Sequence, residues 1–512
     1  MTHATKTTEL IYPEGNIFSL FESAATLNAG RPFLIVDGKP LMTYSEMLAD
    51  TSRAAAWLRS KGIKPGDRAI IQAHKSPVAV IFYLGCLRAG IVFIPLNTAY
   101  QASELAYFLD DAAPALLVAS AGLPAESVLF AGERAILTGD LETSPWAKFD
   151  EAPPVADVGR DDPAAILYTS GTTGRSKGAV LTHGNLSSNA IVLGRAWHWQ
   201  NDDVLLHALP IFHAHGLFVA LHLALLHASP ILFHDRFDVS AVLRDLPAST
   251  VFMGVPTFYT RLLSEPSFDE SLCKGIRLFV SGSAPLLDAT FTEFQQRTGH
   301  VILERYGMTE ALMVTANPYD GPRIAGSVGP SLPGISVRVV AEDRQPAKPG
   351  TPGILEIKGP NLFDRYWQNP EKTAEDHTAD GYFISGDIAT IDDAGYVRIV
   401  GRAKDLIITG GYNVYPKEVE LAIDAINGVL ESAVIGVPHA DFGEGIVAVV
   451  ALEAGTTLQA DDIAATLSAE LAAFKRPKRI VIVDDLPRNA MGKVQKAELR
   501  NLHQSIFTQP VR

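Results

Sequence analysis

Apolar and polar positions follow two rhythms along this chain, and the switches between them predict its elements. The box Thr43-Tyr44-Ser45-Glu46 opens a run in which Met47, Leu48, Thr51, Ala55 and Leu58 recur at helical spacing. Gly62 ends that helix, and the turn Lys64-Pro65-Gly66-Asp67 leads into a strand over 68–72. The unit recurs with a strand at 92–95, a helix from Ser103, a strand at 116–119 and an apolar strand just before residue 168. Strands at 250–253 and 277–280, each followed by a helical stretch, continue it. Such alternation predicts an α/β fold with largely parallel sheets.

The texture changes after about residue 325, where glycine, proline and alternating strands take over at 336–340, 353–358 and 392–400. This stretch reads as a β-rich subdomain. From Tyr415 a compact α+β pattern follows: a helix opened by Pro416, strands at 432–437 and 446–452, a helix at 461–473 and a strand at 479–483. The expected organisation is a large N-terminal domain over 1–402, built of parallel-sheet α/β subdomains plus the β-rich subdomain, and a small mobile α+β domain over 403–512. The joint Arg402-Ala403-Lys404-Asp405 is short and charged, which suits a hinge.

Composition narrows the function classes. A chain of 512 residues exceeds one ordinary core, and 47% hydrophobic with 20% charged residues describes a folded globular protein. A net charge of −14 argues against nucleic acid or an anionic membrane as partner, since both reward a basic footprint. Cys86 and Cys273 stand in unrelated contexts and read as buried free thiols. Residues 1–14 lack the apolar centre of a signal peptide, and no run approaches the ~20 apolar residues of a membrane span, so a cytoplasmic location is expected.

The densest chemistry lies at 168–178, Y-T-S-G-T-T-G-R-S-K-G. Glycines let backbone N–H groups approach an anion, hydroxyls add donors, and Arg175 and Lys177 offset phosphate charge. The spacing is not that of a P-loop, because Lys177 follows Gly174 by three and precedes another glycine. A second unusual region holds His207, His213, His215, His222, His227 and His234. No cysteine or carboxylate lies among them before Asp235, so a metal site is disfavoured. Asp238 has the position of a helix N-cap.

Four further motifs follow the loop in order: Y-G-M-T-E at 306–310, G-Y-F-I-S-G-D at 381–387, G-R-A-K-D at 401–405 and P-R-N-A-M-G-K at 487–493. Together the five resemble the motif series of the adenylate-forming acyl-CoA synthetases, over essentially the whole chain from about Ile17. The resemblance implies a carboxylate activated as an acyl-adenylate and passed to a thiol, with ATP, Mg²⁺ and CoA as cofactor and co-substrates. It implies that Thr169, Ser170, Gly171, Thr172, Thr173, Gly174 and Lys177 hold the ATP phosphates. Thr309 would bond the α-phosphate, and Glu310 would hold Mg²⁺. Asp387 and Arg402 would take the ribose, while Ser283, Ala284, Glu304 and Tyr306 wall the adenine and acyl sites. Lys493 matches the lysine that bridges carboxylate and phosphate charge in the first half-reaction, and is a candidate target for a lysine acetyltransferase and deacetylase. The small domain of such enzymes swivels about the Lys404 position and brings the segment of Gly410 and Gly411 to the thiol channel.

Within that superfamily the resemblance narrows to the malonyl-CoA synthetases, on L-P-I-F-H-A-H-G-L-F (209–218), V-P-T-F-Y-T-R (255–261), S-G-S-A-P-L (281–286) and E-R-Y-G-M-T-E (304–310). It implies that Arg261, Ser283 and Arg305 embrace the distal carboxylate of a small dicarboxylate, and that His213 lines the acyl site and gates the thiol channel, leaving the other histidines structural. Ala311-Leu312-Met313-Val314 depart from the family's polar residues, which leaves methylmalonate beside malonate as substrate. Two alternatives stay open: a ligase for another small, medium-chain or aryl acid, and an adenylation module that loads a separate carrier protein.

Overall fold

The computed structural model describes residues 14–120, 122–124, 136–138, 144–150, 152–169, 176–341, 344–439, 441–489 and 492–507. Its contacts divide the chain into two compact units, one formed by 1–336 with 357–383 and the other by 337–356 with 384–512.

The first unit is built on two sheets. One has eight strands in the spatial order Leu312–Ala316, Leu303–Met308, Leu278–Ser281, Val251–Gly254, Leu205–His207, Ile231–Phe233, Pro32–Val36 and Lys39–Thr43. Its six inner strands are parallel, and the outermost strand on each side is antiparallel. The other has seven strands, in the order Arg365–Tyr366, Lys177–Thr182, Pro163–Thr169, Val92–Pro95, Arg68–Gln72, Leu116–Ala119 and Ile136–Thr138. This is the expected α/β architecture. The antiparallel edges were not legible as such, because an edge strand carries the same period-2 signal whichever way it runs.

Local chemistry accounts for the elements. The helix Tyr44–Ser60 starts at a complete capping box: the Thr43 side chain accepts from the Glu46 N–H, and the Glu46 carboxylate accepts from the Thr43 N–H at 2.7 Å. Asp238 caps the helix Val239–Asp245, accepting from the Ala241 N–H at 2.9 Å. Under the eight-stranded sheet, Phe252, Tyr259, Phe279 and Phe294 meet edge to face inside one apolar cluster. Each such burial is worth roughly 1.5–3 kcal/mol. Cys86 and Cys273 are buried free thiols. Among the described residues no helix is long and apolar enough to cross a membrane.

The second unit holds most of a four-stranded sheet, Ser336–Val340, Gly353–Lys358, Phe383–Ile391 and Val397–Arg402, which is the β-rich segment. It also holds a five-stranded sheet whose long hairpin, Val429–His439 with Gly443–Leu452, is flanked by the helices Pro416–Asp424 and Ala460–Glu470. The strand Arg479–Val483 adds to this hairpin in parallel.

Candidate active site

Both sheets of the first unit present strand C-terminal ends to the functional residues, the edge at which α/β proteins bind ligands. Residues 168–178 join two antiparallel strands, with Thr169 opposite Lys177. The described flank that follows it is thus a strand, where a P-loop would lead into a helix. Ser170, Gly171, Thr172, Thr173 and Gly174 lie outside the described residues. The two flanks are held by the helix Ala102–Ala112: Tyr107 donates to the Ser176 carbonyl at 2.6 Å, and Tyr168 donates to Asp111 at 2.5 Å.

Beside those flanks sits Glu310, in the tight turn between Leu303–Met308 and Leu312–Ala316. Its carboxylate accepts from the Tyr366 hydroxyl at 3.1 Å and from the Thr169 hydroxyl at 3.5 Å. Lys177 lies over the Tyr366 ring, 5.1 Å from its centroid. Burial and the Glu310 charge push the Tyr366 phenol up, so it stays a donor. Glu310, Thr169 and Lys177 are thus brought together, with partly exposed Thr309 next in the chain. Tyr366 was missed by the sequence reading. It lies 56 positions from Glu310 on a two-residue strand, and nothing local marks it. The oxygen-only donors Glu310 and Thr169 suit a hard cation such as Mg²⁺ better than a soft one. Among the described residues no group of three His, Cys, Asp or Glu could hold a metal.

The other end of the same strand carries Glu304, Arg305 and Tyr306. Neighbouring residues on a strand face opposite ways. Glu304 accepts from the Leu286 N–H at 3.3 Å. Arg305 is 2% exposed, and its Nε and Nη2 are buried without a hydrogen-bond partner. Burial pulls Arg305 down to about 9, still above neutral pH, so the group remains a cation. Gly282 makes the room: a Cβ there would stand 2.5–2.6 Å from the guanidinium. Ser283, next in the chain, adopts φ 72°, and its hydroxyl lies 3.3 Å from His215 Nδ1. Partly exposed Ala284 and Tyr306 flank this pair.

Arg261 and His213, also expected at the acyl site, are both reached by solvent. Arg261 is exposed on the helix Pro256–Leu263, and among the described residues no hydrogen bond or ion pair joins it to Arg305 or Ser283. The buried histidine facing this cluster is His215, whereas His213 is partly exposed. His215 opens the π-helix His215–Leu221, a geometry that sequence periodicity does not announce. Ala311, Leu312, Met313 and Val314 are buried in and beside the edge strand.

The remaining predicted residues belong to the second unit. Asp387 is buried and pairs with Arg402 at 2.7 Å, the two standing opposite each other on adjacent strands. Lys404 is exposed in a single 3₁₀ turn whose Asp405 pairs with Arg500 at 2.6 Å. Gly410 and Gly411 form the hairpin tip after Ile407–Thr409 with φ 58° and 80°, left-handed values that favour glycine twice over. Lys493 is exposed in a loop closed by its own N–H and carbonyl on Asn489.

Comparison with known proteins places the chain in a family. The AMP-binding enzyme family model matches residues 21–367, and that of the AMP-binding enzyme C-terminal domain matches residues 418–493. The chain is similar to ATP-bound MatB from Rhodopseudomonas palustris, with TM-score 0.92 and 47% identity over 96% of this chain and 99% of that one. It is 36% identical over 516 residues to the mitochondrial malonate–CoA ligase ACSF3 of Mus musculus, covering 92% of this chain and 88% of the relative. It is also 36% identical over 471 residues to feruloyl-CoA synthase of an Amycolatopsis species, covering 90% and 94%.

Proposed function

We propose that this chain, which belongs to the AMP-binding enzyme family, is an ATP- and CoA-dependent ligase that converts malonate or methylmalonate to its CoA thioester. The observation that carries the choice of acid is Arg305, a buried cation with two unpartnered donors and, among the described residues, no carboxylate paired with it. Leaving a charge in that state costs several kcal/mol, and a bound carboxylate would offset it. Similarity to malonate–CoA ligases points the same way.

In the first half-reaction an acid oxygen attacks the α-phosphate, the bond to pyrophosphate breaks, and an acyl-adenylate forms. In the second, the CoA sulfur bonds to the acyl carbon and AMP leaves. Thr169, Lys177 and residues 170–174 hold the departing phosphates, and Thr309 bonds the α-phosphate. Glu310 and Thr169 would hold Mg²⁺, which supplies neutralising charge to the phosphate oxygens. Asp387, steadied by Arg402, takes the ribose hydroxyls, and Lys493 offsets the charge of the two reacting anions. A swivel about Lys404 then withdraws Lys493 and presents Gly410 and Gly411 to pantetheine, with His213 at the channel. The working domains in this motion are 1–402 and 403–512, and the proposed compartment is the cytoplasm. Acetylation of exposed Lys493 by a lysine acetyltransferase would remove its charge and stop the first step.

AMP release measured with malonate, methylmalonate, succinate, butyrate and benzoate, with and without CoA, tests the reading. Malonate or methylmalonate should exceed butyrate by about 10⁴-fold, as expected of a site built to pair a carboxylate. Butyrate turnover equal to malonate, or transfer that ignores CoA, would refute it.

A further inference from the structure

The histidines of 207–234 differ sharply in how their nitrogens are used. His234 Nε2 bonds Asp245 at 2.8 Å. His222 is stacked on Tyr83 and bonded to its hydroxyl at 2.6 Å, against Phe21 and Phe218. His207 is saturated: Lys75 Nζ lies 2.8 Å from its Nδ1, and its Nε2 lies 2.9 Å from the Gly216 carbonyl. A carbonyl only accepts, so Nε2 carries the hydrogen and Nδ1 accepts from Lys75. This brace fixes the backbone of Gly216, and with it the residue before.

That residue is His215. It is 1% exposed, its Nδ1 faces the Ser283 hydroxyl at 3.3 Å, and its Nε2 is buried without a partner. The consecutive residues Gly282 and Ser283 touch, respectively, the Arg305 guanidinium and the His215 ring. Two side chains from distant parts of the chain therefore converge on one dipeptide, each with an unmade hydrogen bond. Burial and the neighbouring Arg305 charge hold His215 well below the ordinary histidine range, so the ring is neutral. If Ser283 donates to Nδ1, the proton sits on Nε2 and the ring presents one N–H donor.

We infer that His215 is a specificity-determining residue, its Nε2–H donating to the distal carboxylate alongside Arg305 Nε and Nη2. The inference rests on the dicarboxylate reading above and deepens it. The bond is charge-assisted and enclosed, so its loss should register as roughly 10- to 100-fold.

The test compares His215→Phe with His215→Gln, whose amide reaches the Nε2 position and restores a donor. His215→Phe should lower kcat/KM for malonate about 10- to 100-fold, mainly through KM, while kcat/KM for butyrate and KM for ATP hold. His215→Gln should recover most of the loss. An equal fall for malonate and butyrate, or an unchanged ratio, overturns the inference. If His215→Phe does not accumulate as folded protein, His215→Ala carries the same comparisons. Wild-type enzyme that prefers butyrate sinks the dicarboxylate reading and this inference together; wild type that prefers malonate, with a ratio insensitive to His215, sinks only the inference.

Discussion

The two ends of the strand Leu303–Met308 solve opposite problems. Toward its start, Arg305 is enclosed with donors unmade, and His215 beside it has an unpartnered nitrogen. Just past its end, Glu310 already accepts from Tyr366 and Thr169. The first arrangement is incomplete without an anion that fits, which is what selectivity requires. In the proposed reaction the second would meet a ligand that brings its own charges, as a reaction common to many acids requires. On the proposed function, selection and chemistry would lie five residues apart on one strand and its turn.

Substitutions at each end should break that separation in different ways. Arg305→Leu should have the largest effect, lowering malonate kcat/KM by about 10³-fold or more in steady-state assays. It should also raise the melting temperature, since an uncompensated buried charge gives way to an apolar side chain. Next comes Glu310→Gln, which should cut kcat for every acid by about 10²-fold, as loss of one electrostatic stabiliser does. A loss confined to malonate would place Glu310 in the wrong half of the comparison. Tyr366→Phe removes one hydrogen bond to that carboxylate, so a uniform fall of about 3- to 10-fold in kcat is expected from the same assays.

The smallest effects concern pH. His215 is held neutral and Arg305 charged across pH 6.5–7.5, so the malonate-to-butyrate ratio should stay flat there. A step near 6.5 would mean that His215 titrates. Stability, in contrast, should fall on acidification. Burial lowers His183 to about 4 and His222 to about 3, whereas both take up protons near 6.5 once unfolded. The unfolded state then binds more protons, so heat resistance is full above 6.5 and declines as pH drops toward 4. Thermal melts between those values would show it.

Much of this was readable from the chain. The capping box at Thr43, the cap at Asp238, the proline-opened helix at Pro416 and most strands lie within a residue or two of expectation, because each depends on neighbours in sequence. The motifs also put forward Glu310, Arg305 and Ser283 as the residues proposed to act. What escaped depends on packing between distant segments. Tyr366 reaches Glu310 only through a short added strand. His213 and His215 share one motif, and the burial of His215 at the start of a π-helix is not marked in the sequence. Arg261 is exposed because its helix turns Tyr259, Leu262 and Leu263 inward. The clearance that Gly282 gives Arg305 is a property of the folded chain alone.

The most direct test of the separation is the malonate-to-butyrate ratio of kcat/KM, measured side by side for wild type, Arg305→Leu and Glu310→Gln. The ratio should stand at about 10⁴ in wild type, collapse toward unity in Arg305→Leu, and persist in Glu310→Gln despite its low activity. Arg305→Leu that keeps the wild-type ratio, or Glu310→Gln that loses it, would contradict the account.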